Sequence, residues 1–123
     1  MIASAHIIGG EALGGAELFY TRLVNALRAR QHSALAITVA DSRISARLDA
    51  QIPQIHVPMW GVADLPSRWR IGRALREHRP DIVQTYMGRA TRLTRVAPGR
   101  RPIHVARLGG YYTPHGYRHA HAW

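Results

Sequence analysis

The sequence predicts an α/β fold, an open parallel sheet flanked by helices, and three observations predict it. Short apolar runs alternate with segments of helical periodicity from the N-terminus onward. A glycine-rich stretch, Gly9-Gly10-Glu11-Ala12-Leu13-Gly14-Gly15-Ala16-Glu17, separates the first apolar run from the first helical segment. The length of 123 residues, 46% of them apolar, suits one domain with a packed core and is too short for two ordinary ones.

The elements follow in order. Residues 2–8 form an apolar run ending in Gly9-Gly10, and residues 34–39 repeat that character before Asp41-Ser42-Arg43, so both read as buried strands. Between them Ala16, Phe19, Tyr20, Leu23 and Leu27 recur at helical spacing, which predicts a helix packed on a sheet. A third short strand over residues 54–57 is bracketed by Pro53 and Pro58, which places it at a sheet edge or at strand ends. Ser67 is expected to cap a second helix running to His78, with Arg73 and Glu77 paired one turn apart and Pro80 closing it. Residues 81–85 then read as a strand, 88–96 as a short helix and 103–106 as a further strand after Pro102. Strands separated by helices make right-handed parallel crossovers the default, and with them a twisted, doubly wound sheet.

Composition limits the function classes. All 17 basic residues are arginine against seven acids, a formal charge of +10 that attracts phosphates, nucleic acid or anionic lipid. The complete absence of lysine reads as a sequence-wide arginine bias rather than placement at one site. No cysteine is present, so disulfides and thiolate chemistry do not arise. No basic leader precedes the first apolar run, which is about half the length of a membrane-spanning helix. A cytoplasmic protein is expected, with peripheral contact at the inner face of an anionic membrane as a further option.

The glycine stretch reads as a strand, a turn and a helix start, which offers backbone amides and a positive helix end to an anion. A dinucleotide fingerprint needs G-x-G-x-x-G, and Glu11 stands where its second glycine would be. A P-loop needs a lysine, and the chain has none.

Two elements in this order, Leu13-Gly14-Gly15-Ala16-Glu17 and later Arg79-Pro80-Asp81-Ile82-Val83-Gln84-Thr85-Tyr86-Met87-Gly88-Arg89-Ala90, make the chain resemble the N-terminal half of the family 4 glycosyltransferases. The resemblance spans nearly the whole chain. It implies that residues 1–123 form the acceptor-side, Rossmann-like domain of a two-lobed GT-B architecture, incomplete at its C-terminal end. It implies a retaining transferase that moves a sugar from a nucleotide-sugar to a glycan or glycolipid acceptor, in the synthesis of polysaccharide, lipopolysaccharide or glycolipid. The nucleotide-sugar is then substrate, and no cofactor is implied. The nucleotide would be held mainly by the missing C-terminal lobe, whose paired glutamates do not occur here, so this fragment alone is expected to be inactive.

The resemblance also implies the site residues. Gly14 and Gly15 match the glycines that face the cleft and approach donor phosphates or acceptor. Glu17 matches the same turn, and equally well it complements the helix macrodipole. Tyr86 and Arg89 follow a strand at the carboxyl end of the sheet, where open α/β folds place ligands, with a core-capping tyrosine and a solvated arginine as the plain alternative. Family members commonly carry a histidine just after the fifth strand; here the stretch reads Arg107-Leu108-Gly109-Gly110-Tyr111-Tyr112. Arg107 would offer positive charge to a phosphate leaving group, or stand as a surface arginine, and no catalytic residue is identified. His115, His119 and His121 lack a nearby carboxylate or thiolate, so a surface cluster is expected and no metal site.

Two other readings stand beside this one. A non-catalytic basic module would hold nucleic acid or another polyanion, with Trp60, Trp69, Tyr111 and Tyr112 as stacking surfaces. Its arginines are dispersed along the chain and no nucleic-acid motif occurs, which disfavours it. An orphaned lobe would instead assemble with itself into a homo-oligomer through exposed apolar surface.

Overall fold

The computed structural model describes residues 1–9, 14–40, 43–61, 63–94 and 102–107. Its centre is β1 (Ala3–Ile8), buried along nearly its whole length. A strand covered on both faces needs a near-continuous apolar run, and this one pairs in parallel on both sides. On one side lies β2 (Ser33–Thr38), with Ala5 opposite Leu35; on the other lies β4 (Ile82–Tyr86), with Ala5 opposite Val83. With β3 (Gln54–His56) beside β2 and β5 (Ile103–Arg107) beside β4, all pairings are parallel and the order is β3-β2-β1-β4-β5. This is the α/β, Rossmann-like open sheet that the alternation of elements predicts.

Alternate side chains of these strands feed two cores. Ala5, Ile7, Leu35, Ile37 and Val83 pack against Ile71, Ala74 and Leu75 of α2 (Leu65–His78) and Ala90 and Leu93 of α3 (Met87–Leu93). Ile8, Ala34, Ala36 and Tyr86 pack on the other face against Tyr20 and Val24 of α1 (Gly15–Ala29), with Ile44, Leu48 and Ile52 from the segment after β2. Each fully buried isoleucine contributes about 1.5–3 kcal/mol relative to exposure, so the doubly covered central strands hold the sheet together. The three-residue β3 is the sheet edge, between the prolines that marked it in the sequence.

Three local expectations are corrected. The cap of α2 is Asp64 rather than Ser67: its carboxylate accepts from the Ser67 amide at 3.1 Å and the Ser67 hydroxyl at 2.6 Å. The helix therefore starts three residues earlier, with Pro66 in its first turn, where a missing amide hydrogen is harmless. It ends at Arg79, whose left-handed φ of 51° turns the chain into Pro80. In α1 the buried residues are Tyr20, Thr21 and Val24, whereas Phe19 faces outward. The short helix starts at Met87, one residue earlier than expected, and is described as far as Leu93. The Arg73–Glu77 pair forms as expected, at 2.9 Å. Residues 95–101 and 108–123, with Tyr111, Tyr112 and the three clustered histidines, lie outside the described residues. Among the described residues no helix is long and apolar enough to cross a membrane.

Candidate functional site

The chain leaves β1 through α1 toward β2 on one side and returns through α2 to β4 on the other, so the strand order reverses between β1 and β4. Helices on opposite faces diverge at such a point and leave a crevice at the carboxyl ends of the strands. Here a cleft of about 120 Å³ is lined by Gly15, Ala16, Tyr86, Met87 and Arg107.

One wall is the start of α1. Gly14 is the N-cap, with φ −87° and ψ −170°, and its carbonyl accepts the first helical bond from Leu18 at 3.0 Å. A glycine has no side chain to cap with, so the first amides of α1 have neither an intrahelical acceptor nor a capping oxygen from that residue. The φ of Gly14 is one that any residue adopts, so glycine is not needed there for its backbone freedom. It leaves room instead: a Cβ on Gly15 would meet nothing within 4 Å, and one on Gly14 would lie 2.9 Å from Glu17 Oε2. Glu17 thus leans back over Gly14 at the positive helix end and does not line the cleft.

The floor is Tyr86, the last residue of β4. Its ring packs edge-on against Tyr20 at 4.9 Å, and its hydroxyl lies 3.2 Å from Nδ1 of buried His6. His6 Nε2 lies 2.9 Å from the Ser4 hydroxyl, and the Tyr20 hydroxyl donates to the His6 carbonyl at 2.7 Å. Burial pushes the Tyr86 phenol far above its ordinary range, with Arg107 opposing that shift weakly. Burial, helped by the charge of His78, lowers His6 to about 4. Both groups are neutral at physiological pH, so Tyr86 supplies a rigid apolar floor rather than a proton.

Arg107, paired in register with Tyr86, provides the positive wall, its guanidinium 3.7 Å above the centre of the Phe19 ring. The stacked ring holds the charge at the wall of the cleft. Arg89 stands elsewhere. Its side-chain stem packs beside Gly9, together with the Met59 sulfur, so that it is placed across the end of β1 from this cleft.

The structure therefore brings Gly15, Tyr86 and Arg107 together, keeps Gly14 and Glu17 at the adjoining helix end, and separates Arg89. Sequence reasoning missed two contributors. Met87 turns the chain directly from β4 into α3 with a left-handed φ of 69°, a conformation that a methionine does not advertise. Phe19 sits at helical core spacing in the sequence, and only the position of β5 shows it stacked under Arg107. Among the described residues no group of three histidine, aspartate or glutamate side chains is placed to hold a metal ion.

No family model matches the chain. In sequence it is similar to the lipopolysaccharide core biosynthesis glycosyltransferase LpsD of Rhizobium meliloti (strain 1021), 31% identical over 106 residues, which are 85% of this chain and 30% of that protein. The chain spans less than a third of the length of that relative. Among solved structures it is similar to the UDP-glucose 4-epimerase of Thermus thermophilus in complex with NAD, at 22% identity and a TM-score of 0.45, over 67% of this chain and 23% of the other. The fold itself is defined by the strand order and register above.

Proposed function

We propose that the chain is the acceptor-side lobe of a retaining, family 4 (GT-B) glycosyltransferase that moves a sugar from a nucleotide-sugar to a glycan or glycolipid acceptor of lipopolysaccharide type. The observation that carries this reading is the meeting of the open start of α1 and Arg107 across one cleft at the reversal of strand order. Amides at a helix start and a guanidinium are the groups that bind diphosphate oxygens, and both act where a departing nucleoside diphosphate gathers charge. Tyr86 closes the floor against water, and the bare Gly15 leaves space for the approaching group. The similarity to a lipopolysaccharide core glycosyltransferase supports the same reaction class and suggests the acceptor. In this reading the nucleotide is held mainly by a second lobe, and the reaction takes place on the cytoplasmic side of a membrane.

The test is a titration of the isotope-labelled chain with UDP-glucose and GDP-mannose, followed by amide chemical shifts. The shifts should concentrate at residues 14–17 and at Arg107, differ between the two donors, and largely vanish in Gly15→Leu. That variant reaches into the opening and, because a Cβ there meets nothing within 4 Å, should leave the thermal midpoint little changed. Shifts scattered over many arginines, indifferent to the sugar and abolished by salt alone, would instead identify a general polyanion binder.

A further inference from the structure

The edge strand β3 presents a short stretch of unbonded backbone. In a parallel pair, successive residues of a strand turn their amide and carbonyl alternately toward and away from the neighbouring strand. Pro53, Ile55 and Val57 face β2: the Ala36 amide donates to the Pro53 carbonyl and the Val57 amide to the Thr38 carbonyl, both at 2.9 Å. Gln54 and His56 therefore turn their amides and carbonyls outward, and among the described residues no group bonds those backbone atoms. Pro53 and Pro58 limit the open edge to this one repeat, which guards it against indiscriminate strand pairing.

A hollow of about 190 Å³ opens beside it, between Ile55 of β3 and Trp69, Arg70, Arg73, Ala74 and Glu77 of α2. Ile55 and Ala74 make its floor apolar, and Trp69, 59% exposed, is its aromatic wall. Arg73 is committed, with its guanidinium 5.5 Å from the Trp69 ring centre and paired with Glu77. Arg70 is exposed and has no partner among the described residues. The two sides of the hollow are fixed relative to each other, because the chain leaving β3 is tied to the cap of α2. The Met59 amide donates to the Ser67 hydroxyl and the Trp60 amide to Asp64 Oδ2, both at 3.1 Å.

Backbone polarity and charge identify the occupant. We infer that β3 receives an extended, acidic segment of a partner protein as an added strand, with an aliphatic side chain in the hollow and a carboxylate on Arg70. Side chains directly opposite across a strand pair stand on the same face, so the residue opposite Ile55 points toward α2 whichever way the segment runs. Residues two places away return to that face and reach the rim where Arg70 stands. The hollow suits one branched aliphatic side chain, since a cavity of roughly 150 Å³ takes up a benzene-sized group. Alternating outward amides and carbonyls match another extended backbone, with the neighbouring pocket selecting its side chain. A second copy of this chain has the wrong charge, since each copy carries +10. The edge lies two strands from β1, on the far side from β5, so strand addition leaves the cleft open and does not depend on the sugar-transfer reading.

The test titrates the isotope-labelled full chain with the peptide acetyl-Glu-Thr-Leu-Thr-Glu-amide and follows amide chemical shifts. Saturable shifts should gather at residues 54–56 and along α2 from Trp69 to Glu77. Serine in place of the peptide leucine, or N-methylation of its three central residues, should weaken binding roughly tenfold. Lysine in place of both glutamates should weaken it by roughly as much, and Arg70→Glu should bind the glutamate peptide less and the lysine peptide more than the parent chain does. That gain is one a damaged fold does not produce, and the peptide variants are read on the unaltered chain. Absence of saturable shifts up to millimolar peptide, undiminished binding of the serine or N-methylated peptide, or an Arg70→Glu chain that keeps the parent's preference overturns the proposal.

Discussion

His6 shows what it takes to keep a titratable side chain in the middle of a buried strand. Its two ring nitrogens are served by Tyr86 and Ser4, and its carbonyl by Tyr20, so the neutral imidazole is fully satisfied, and among the described residues no carboxylate pairs with the charged form. The unfolded chain binds a proton near the ordinary value of 6.5, whereas the folded chain holds out to about 4. Between those limits the unfolded state carries the extra proton, so stability falls as the pH drops from 6.5 toward 4 and is retained above that window. The loss attributable to this residue is roughly 3 kcal/mol at the acid end. Urea midpoints taken at intervals across the window should show the fall, and His6→Gln should flatten much of it. His104, also lowered by burial, acts in the same direction and accounts for a slope that remains. An acid limb identical in the parent and the variant would show that His6 titrates as it does in water.

Among the elements, α2 couples a fold role to a surface role through its cap. The Asp64 carboxyl sits below the usual carboxylate range, chiefly because it accepts from the Ser67 side chain and backbone. Asp64→Ala removes the acceptor for the Ser67 amide and the tether of the Trp60 amide in one change. The thermal midpoint should fall by several degrees and the emission of Trp60 should become more mobile in anisotropy, with Asp64→Asn restoring most of both. The sequence offered Ser67 as the cap because serine is a good one. It could not show that the residue is wholly buried, with its hydroxyl already donated to Asp64. The start of α1 differs, since its glycine cap supplies no side-chain oxygen and the Glu17 carboxylate leans back over it.

For the molecule as a whole, the sheet is the rigid frame and its two sides are built for different contacts. Central β1 is paired on both edges and covered on both faces, while β3 is a three-residue edge and β5 exposes Ile103 and Val105. Amide hydrogen exchange should therefore be slowest in β1 and its two neighbours and faster by orders of magnitude in β3 and β5. Equal protection across all five strands would contradict this gradient of burial. The order of elements, the parallel crossovers, the edge position of the proline-flanked strand and the start of α1 at the Gly14-Gly15 pair were all legible in the sequence, because periodicity, helix-start chemistry and strand hydrophobicity depend on near neighbours. The joining of Gly15 to Arg107, the link from His6 to Tyr86, and the displacement of Arg89 from the cleft were not. They follow from which strands lie side by side and in what register, a matter of competing long-range contacts that no local pattern encodes. The same holds for α2, whose sequence carries two apolar sets. Only packing on the sheet decided that Ile71, Ala74 and Leu75 turn inward and that Leu65 and Trp69 are left to meet something else.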